Sequence, residues 1–272
     1  MPYSYVSRTS LKDRVADSLT DDDTLYRAVL EAASREIDDL CGRTFQPHTA
    51  TRYYRAHDAY TLVLPDDLLS VTSLKTYKTS ARDSQDTWSA TDYDLLPYNA
   101  AGLREPYTMI EATPDGLYTF PGYAKAVEVV GVWGWWLDTL SVTTLNGAIS
   151  STTATSVTVT SAASIEPLMT ILVDSEQMYV TAVSGTTLTV ERAQNGTTAA
   201  THLTAAAVSV YRYPPQIVEA TAIQAARLFR RKDAPFGVIG SPEFGQVSTI
   251  AKVDPDVKLL TRRFRRYSFA AV

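Results

Sequence analysis

One segment of the chain, Pro214 to Arg231, limits the possible folds more than any other. Its apolar side chains cover most of the circumference of the helix that it predicts. Pro214 and Pro215 fit a first helical turn, where the missing N–H of proline would have no partner in any case. Because a helix that is apolar on nearly all sides is buried on nearly all sides, the rest of the chain must supply enough structure to surround it.

A second long helix is predicted near the N-terminus. Thr20 can cap its first turn, and the acids Asp21 to Asp23 suit the positive end of a helix dipole. Apolar residues recur at near-helical spacing as far as Leu40, and Gly42 supplies a stop. The polar face, which we expect to meet solvent or a neighbouring subunit, carries Arg27, Glu31, Arg35, Asp38 and Asp39. We expect the two helices to pack against each other.

The chain between these helices is β-prone, and its composition changes once along its length. From Thr49 to Trp133, short β-prone runs alternate with turn residues such as Pro65-Asp66-Asp67, which predicts a compact antiparallel sheet. From Ser141 to Ser209, 25 residues are Ser or Thr and apolar residues alternate with polar ones. The alternating runs are 156–160, 171–174, 177–183 and 187–191, with turns at Ser184-Gly185 and Asn195-Gly196. They predict a small all-β module, with a Thr-rich disordered linker as the alternative.

Together these segments predict an α+β fold. The core is a small helical bundle, formed by the two long helices and a short C-terminal helix that begins at Asp254-Pro255, beside an antiparallel β region. The predicted division assigns residues 1–140 and 210–272 to this core, and residues 141–209 to an inserted all-β module.

Charge is distributed unevenly. The formal net charge is −5, but ten basic and five acidic residues follow Pro214, so this end carries about +5 and the preceding chain about −10. The single cysteine, Cys41, excludes an intrachain disulfide and a cysteine zinc cluster. No apolar run reaches the roughly 20 residues needed to cross a bilayer, and the N-terminus lacks the apolar stretch of a signal peptide, so we expect no membrane partner.

Catalytic and metal-binding patterns are not found in the sequence. His48, His57 and His202 are scattered and are expected at the surface or in turns. Cys41 at a helix end is expected to be a small buried hydrophobe. The acids Asp21 to Asp23 lack the alternating spacing of a calcium loop, and no phosphate-binding loop occurs. We therefore expect no catalytic, metal or cofactor site and no enzymatic activity.

The residues of the first helix and of the chain after residue 130 resemble the phage head-tail connector, or adaptor, family. The first helix ends in a Cys-Gly-Arg-x-Phe signature, here Cys41-Gly42-Arg43 and Phe45. Further matching residues are Asp22-Asp23 through Leu30, Ala33-Ser34, Ile37-Asp38, Val130 to Trp135, Pro214/Pro215, Ile217, Ala220, Ala225 to Phe229, Phe236 to Val238, and Asp254 to Val257 with the closing arginines. The resemblance covers roughly 10–136 and 214–268, and the module between them is a departure from the family.

The inserted module itself looks like a short β module found in many phage structural proteins. The similar residues are Asp174-Ser175-Glu176, Thr187 to Gly196, Thr197, Ala199 and His202. Such modules usually have a glycine where this chain has Ala193.

The family resemblance implies a structural virion protein of long-tailed phages. Its subunits form a ring, commonly of twelve, that docks on the portal protein and links the DNA-filled head to a neck, tail-terminator or stopper protein. Packaged DNA passes through the channel, and no reaction is involved. Such a protein is located in the virion neck, is assembled in the host cytoplasm, and contacts neighbouring copies of itself.

Two groups of residues are candidates for these contacts. The basic and aromatic residues of the C-terminal end could dock on the portal, line the DNA channel, or form a plain solvated end. They are Arg262, Arg263, Phe264, Arg265, Arg266, Tyr267 and Phe269. The subunit-interface candidates are Arg27, Glu31, Arg35, Arg227, Arg230 and Arg231. An alternative function is a surface-exposed carbohydrate- or receptor-binding virion component that acts through the β module.

Overall fold

A computed structural model describes residues 3–15, 23–135, 137–231, 238–239, 248–249 and 253–266. The helices are α1 (Arg8–Val15), α2 (Asp23–Cys41), α3 (Ala100–Leu103), α4 (Pro215–Arg230) and α5 (Pro255–Thr261). The first sheet contains β1 (His48–Tyr54), β2 (Thr61–Tyr77), β3 (Gln85–Trp88), β4 (Tyr93–Leu96), β5 (Tyr107–Ala112) and β6 (Val127–Trp133). The second contains β7 (Thr139–Thr144), β8 (Ser156–Thr158), β9 (Thr170–Val173), β10 (Glu176–Ser184), β11 (Thr187–Glu191) and β12 (Ala207–Tyr211). A short pair, β13 (Val238–Ile239) and β14 (Ser248–Thr249), completes the strands of the described residues. The predicted α+β class is confirmed.

Contacts group the chain into two units. One consists of Met1–Gly42, Asp138–Gln194 and Thr198–Val272, and the other of Arg43–Leu137 and Asn195–Thr197. This grouping differs from the division predicted from composition, because it joins the helices to the second sheet. The physical reason is that Leu168 and Tyr179 from the second-sheet region are buried in the same apolar cluster as α2 and α4.

The first sheet has the strand order β1-β6-β2-β5-β4, with β3 pairing to β2, and all its pairs are antiparallel as predicted. Pro65-Asp66-Asp67 was expected to be a turn but lies inside the 17-residue strand β2. There the register against β5 shifts between Val63 and Leu68. A bulge of this kind tolerates a proline and lets one long strand continue, which composition alone does not reveal.

The second sheet has the order β7-β12-β9-β10-β11-β8, and its two outer strands meet. Leu145 bridges Val159, and the Asn146 N–H donates to the Thr158 carbonyl over 2.8 Å. The sheet therefore closes on itself around its own apolar core, which includes Val157, Ile171 and Val208. The folded alternative for residues 141–209 is confirmed over the disordered linker. The Asn195-Gly196 pair forms a 3-10 turn and not a hairpin.

The two long helices pack against each other, as predicted. Tyr26 of α2 stacks on Phe229 of α4 with ring centroids 5.1 Å apart, and the Gln224 amide of α4 donates to Glu36 of α2 over 2.7 Å. Helix α4 exposes few of its side chains, as its apolar circumference requires. Gly42 ends α2 with φ +64°, a left-handed conformation that glycine adopts without strain. Thr20 to Asp22, the predicted capping residues, lie outside the described residues.

Candidate assembly surfaces

The basic C-terminal segment is fixed to the rest of its unit by a few buried side chains. Asp254 caps α5 by accepting from the Asp256 N–H over 2.9 Å. Val257 and Phe264 are 0% and 1% exposed. The backbone N–H of Arg266 donates to the carbonyl of Cys41 over 2.8 Å, so the segment is hydrogen-bonded to the end of α2.

This anchoring decides which of the predicted C-terminal residues face outward. Arg262 and Arg263 are exposed, whereas Arg265 and Arg266 are half-buried. Phe264 was predicted as an aromatic anchor for docking, but its ring is in the interior and therefore fixes the segment instead. Tyr267 and Phe269, the other two aromatic candidates, lie outside the described residues.

An exposed leucine accompanies the two exposed arginines. Leu259 is 69% exposed and was not among the residues singled out from the sequence. It lines an open cleft of about 570 Å³ together with Gln216, Leu260, Arg262 and Arg263. None of these lining residues is acidic, so the cleft is both basic and apolar.

Two residues of the polar face of α2, Arg27 and Glu31, contact the second sheet of the same unit, whereas Asp39 of this face is exposed as expected. The role of this face between subunits stays a prediction. Arg27 donates to Glu31 over 3.0 Å and lies 3.3 Å from Glu191 of β11. Its guanidinium carbon is 4.9 Å from the ring centre of Tyr179, whose hydroxyl donates to Glu31 over 3.0 Å. Burial and the Glu31 carboxylate raise the pKa of Tyr179, which keeps this hydroxyl a donor.

Arg35, another interface candidate, belongs to a polar cluster within its own unit. The hydroxyls of Tyr3 and Tyr5 donate to the two oxygens of Asp38 over 2.8 and 2.6 Å. The Arg35 guanidinium lies 3.2 Å from Asp38 and stacks over the Tyr3 ring. Burial raises the pKa of Tyr5, so its hydroxyl stays protonated. The cluster fastens the N-terminal segment to α2.

The interface candidates of α4 lie near its C-terminal end. Arg230 and Arg231 are exposed, and Arg227 is half-buried. Positive side chains at this end complement the helix dipole, so their position has a structural explanation within the subunit. Their role between subunits stays a prediction.

A buried ionic cluster in the second sheet centres on Glu176, which is 0% exposed. Arg192 donates to both of its carboxylate oxygens over 2.7 Å. The backbone N–H groups of Ala193 and Ala200 donate to the same carboxylate over 3.1 and 2.9 Å. Burial alone would raise the pKa of Glu176, but the hydrogen bonds from Arg192, Ala200, His202 and Ala193 lower it to about 2.

His202 was expected at the surface, but it is 3% exposed and joins this cluster. Its Nε2 lies 2.9 Å from Glu176 and its Nδ1 2.7 Å from Asp174. The partners are 26 and 28 residues away along the chain, so local spacing gave no signal for the contact. The module resemblance named these residues without assigning them a role.

The remaining cysteine and histidine candidates, Cys41, His57 and His48, differ in how far they are buried. Cys41 is 1% exposed, as expected for a small buried hydrophobe, and His57 is exposed. His48 is half-buried, and burial lowers its pKa.

Among the described residues, no group of three or more His, Cys, Asp or Glu side chains could hold a metal ion. Across the same residues, no helix combines the length and the apolar character needed to span a bilayer.

Each residue of the Cys-Gly-Arg-x-Phe signature has a structural role. Cys41 is buried and accepts from Arg266, and Gly42 provides the left-handed end of α2. Arg43 lies 3.5 Å from Asp67 and stacks over the Trp135 ring at 4.1 Å. Phe45 is fully buried.

Comparison with solved structures gives a structural likeness. No protein-family model matches the chain, and no curated protein matches it. A solved structure described as the neck of an empty GTA particle, computed with C6 symmetry, is similar with 12% sequence identity and a TM-score of 0.42. The alignment covers 96% of this chain and 89% of that one. A likeness of this size does not assign a function.

Proposed function

We propose that this protein is a structural virion protein, a subunit of the head-tail connector ring that docks on the portal vertex and links the DNA-filled head to the neck or tail. One observation carries the proposal. The two segments that most resemble the connector family, the end of α2 and the closing arginine segment, are more than 200 residues apart and meet at the Arg266–Cys41 hydrogen bond. The roles of the signature residues give the resemblance a physical basis.

The proposed work is assembly, without a chemical reaction or a cofactor. In a ring each subunit repeats the same contacts, so modest interfaces add up to a stable particle. The partners are the portal protein, neighbouring copies in a ring commonly of twelve, and a tail-side stopper or terminator protein. DNA passes through the channel.

Portal docking is the role that fits the exposed end of α5 better than DNA contact. DNA is held mainly through phosphates, for which arginines suffice without an apolar neighbour. Protein interfaces combine arginines with an apolar centre. Leu259 lies among basic side chains and lines a cleft, so this surface has the composition of a protein interface. We therefore assign Arg262 and Arg263 to the portal.

The test is binding of the purified protein to portal-containing heads that lack a tail. The variant combines Arg262→Ser with Arg263→Ser. The expected result is a loss of at least tenfold in head binding and in the yield of tailed particles. Both arginines are exposed, so the variant should keep its melting temperature.

A matched control removes two positive charges elsewhere. Arg82 and Lys125 are exposed residues of the first-sheet unit, and replacing both with Ser should leave head binding unchanged. Normal binding by the Arg262/Arg263 variant would contradict the docking role. Absence of the wild-type protein from purified particle necks would contradict the proposed function itself. No feature of the described residues singles out the alternative, a carbohydrate- or receptor-binding role for residues 141–209.

A further inference from the structure

The chain contains three asparagines, Asn99, Asn146 and Asn195, and the last two precede a glycine. Asparagine is among the thermolabile residues, and an Asn-Gly pair can modify itself. The backbone nitrogen of the glycine attacks the side-chain carbonyl carbon of the asparagine, and the amide group leaves as ammonia with the proton of that nitrogen. Water then opens the resulting succinimide ring to aspartate or isoaspartate. Glycine favours the attack, because it has no side chain in the way and its backbone has the widest conformational range.

The first Asn-Gly pair lies in an exposed bend directly after β7 and Leu145. Asn146 and Gly147 are both exposed, and a Cβ built on Gly147 would meet no atom within 4 Å. Within the described part of the chain, neither the Asn146 amide nor the Gly147 N–H makes a hydrogen bond. The attacking nitrogen and its target carbon are therefore held by no other partner, and the ring has room to form.

The second pair has the same two residues in the opposite environment. Asn195 is 2% exposed and adopts φ +53° in its 3-10 turn. Gly196 backs directly onto β1, where an added Cβ would overlap the carbonyl of Thr49. Ring closure requires the side chain and the following backbone to rotate toward each other, which close packing prevents. Reaction at Asn195 must therefore wait for a local opening of the chain.

The third asparagine is exposed but lacks a free nucleophile. Asn99 precedes Ala100, the first residue of α3, which is 0% exposed. The Ala100 N–H donates to the carbonyl of Pro97 over 3.0 Å, so the nitrogen that would attack is already hydrogen-bonded. Exposure of the side chain alone thus does not make Asn99 reactive.

We propose that Asn146 is a site of spontaneous deamidation in the folded protein, whereas the fold protects Asn99 and Asn195. The reaction changes the structure where the second sheet closes. The N–H of Asn146 donates to the Thr158 carbonyl over 2.8 Å, and the preceding Leu145 is 2% exposed. Isoaspartate adds a methylene to the main chain at this point, and both products add a negative charge. Deamidation therefore loosens the contact between the end of β7 and β8 as the protein ages.

The experiment follows the three asparagines in the purified protein over time. Folded and urea-denatured samples are incubated at mildly alkaline pH, digested at acidic pH to avoid new reaction, and analysed by mass spectrometry with an isoaspartate assay. In the folded sample Asn146 should convert at least about tenfold faster than Asn195, and in the denatured sample both should convert at similar rates. The proposal is overturned if Asn146 stays intact in the folded protein while the denatured sample reacts. Equal conversion of Asn146 and Asn195 in the folded protein overturns it as well.

Two variants separate the reaction from its effect on the sheet. Asn146→Gln keeps an exposed amide but would need a larger ring, so it should stop the conversion without changing the melting temperature. Asn99→Gln is the matched control and should leave the conversion of Asn146 unchanged. After incubation, peptides from 140–145 and 156–160 should exchange hydrogen at least about threefold faster in the wild type, and at the original rate in Asn146→Gln. Unchanged exchange in fully converted wild type would overturn the proposed loosening of the sheet.

Discussion

Replacing Glu176 with Gln tests whether the buried ionic cluster holds the second sheet together. The substitution keeps the shape of the side chain but removes the charge that Arg192 faces and turns one acceptor oxygen into a donor. The N–H groups of Ala193 and Ala200 then compete for the one oxygen left. Removing one partner of a buried ion pair typically costs about 3–5 kcal/mol, because the other charge stays buried without compensation.

The lowered pKa of Glu176 gives a second value for the free energy that Glu176→Gln should cost. A pKa lowered from 4.5 to about 2 means that the folded state favours the charged form by about 3 kcal/mol. This value agrees with the cost expected for the broken pair. We therefore expect Glu176→Gln to lower the free energy of unfolding of this unit by about 3 kcal/mol.

Hydrogen exchange measured by mass spectrometry is the assay of choice, because it resolves the two units. Peptides from 170–211 should exchange about 100-fold faster in the variant, since each 1.4 kcal/mol is a factor of ten. Peptides from the first sheet serve as the internal reference. All four tryptophans lie in Arg43–Leu137, so tryptophan fluorescence follows the first-sheet unit separately.

Glu219→Gln is the matched control. Glu219 pairs with Arg14 over 2.6 Å, but both side chains are well exposed, and such pairs contribute about 1 kcal/mol or less. Its exchange rates should therefore change by less than about fivefold. If Glu176→Gln behaves like this control, the cluster is not the stabilising element that its geometry suggests, and the reasoning is refuted.

Three further predictions concern Glu176 and the segment 193–196 that follows β11. Because folding lowers the pKa of Glu176, this carboxylate stabilises the fold fully above about pH 5, and the stabilisation is lost as the pH falls toward 2. Urea titrations across this range should show the falling free energy of unfolding. The Glu176→Gln variant should show a weaker dependence on pH. Ala193 is exposed at φ +55°, so Ala193→Gly should raise the free energy of unfolding by up to about 1 kcal/mol, and a lower melting temperature would contradict this. Gly196 has φ +78°, and a Cβ there would lie 2.0 Å from the Thr49 carbonyl oxygen. Gly196→Ala should therefore lower the free energy of unfolding by about 2–4 kcal/mol in chemical denaturation. A loss under about 0.5 kcal/mol would show that the loop shifts freely.

The elements that the sequence predicted are those specified by local signals. Helix α5 begins where Asp254-Pro255 predicts, because a cap and a proline act within one turn. Four alternating runs of the second sheet were found because alternation is a local pattern. Strands β7 and β12, which pair with each other, were missed, since they are ordinary Thr- and Ser-containing stretches.

The features that the sequence did not predict depend on partners far along the chain. Pro65-Asp66-Asp67 has the composition of a turn, and only the pairing of the flanking residues Val63 and Leu68 with neighbouring strands makes it part of a bulged strand. His202 is buried against Glu176, the first residue of β10, and Asp174, in the turn between β9 and β10. Residue types can suggest such a contact, but single-sequence spacing cannot locate it.

The contact between α2 and the second sheet was not predicted from the sequence. Arg27 and Glu31 have the composition of a solvated or intersubunit face. Here Tyr179 and Glu191 belong to the inserted sheet and satisfy both side chains, while the Tyr179 ring joins the helix cluster. The second sheet therefore covers part of this face. The exposed end of α5, with Leu259, Arg262 and Arg263, is the surface on which the proposed portal contact rests.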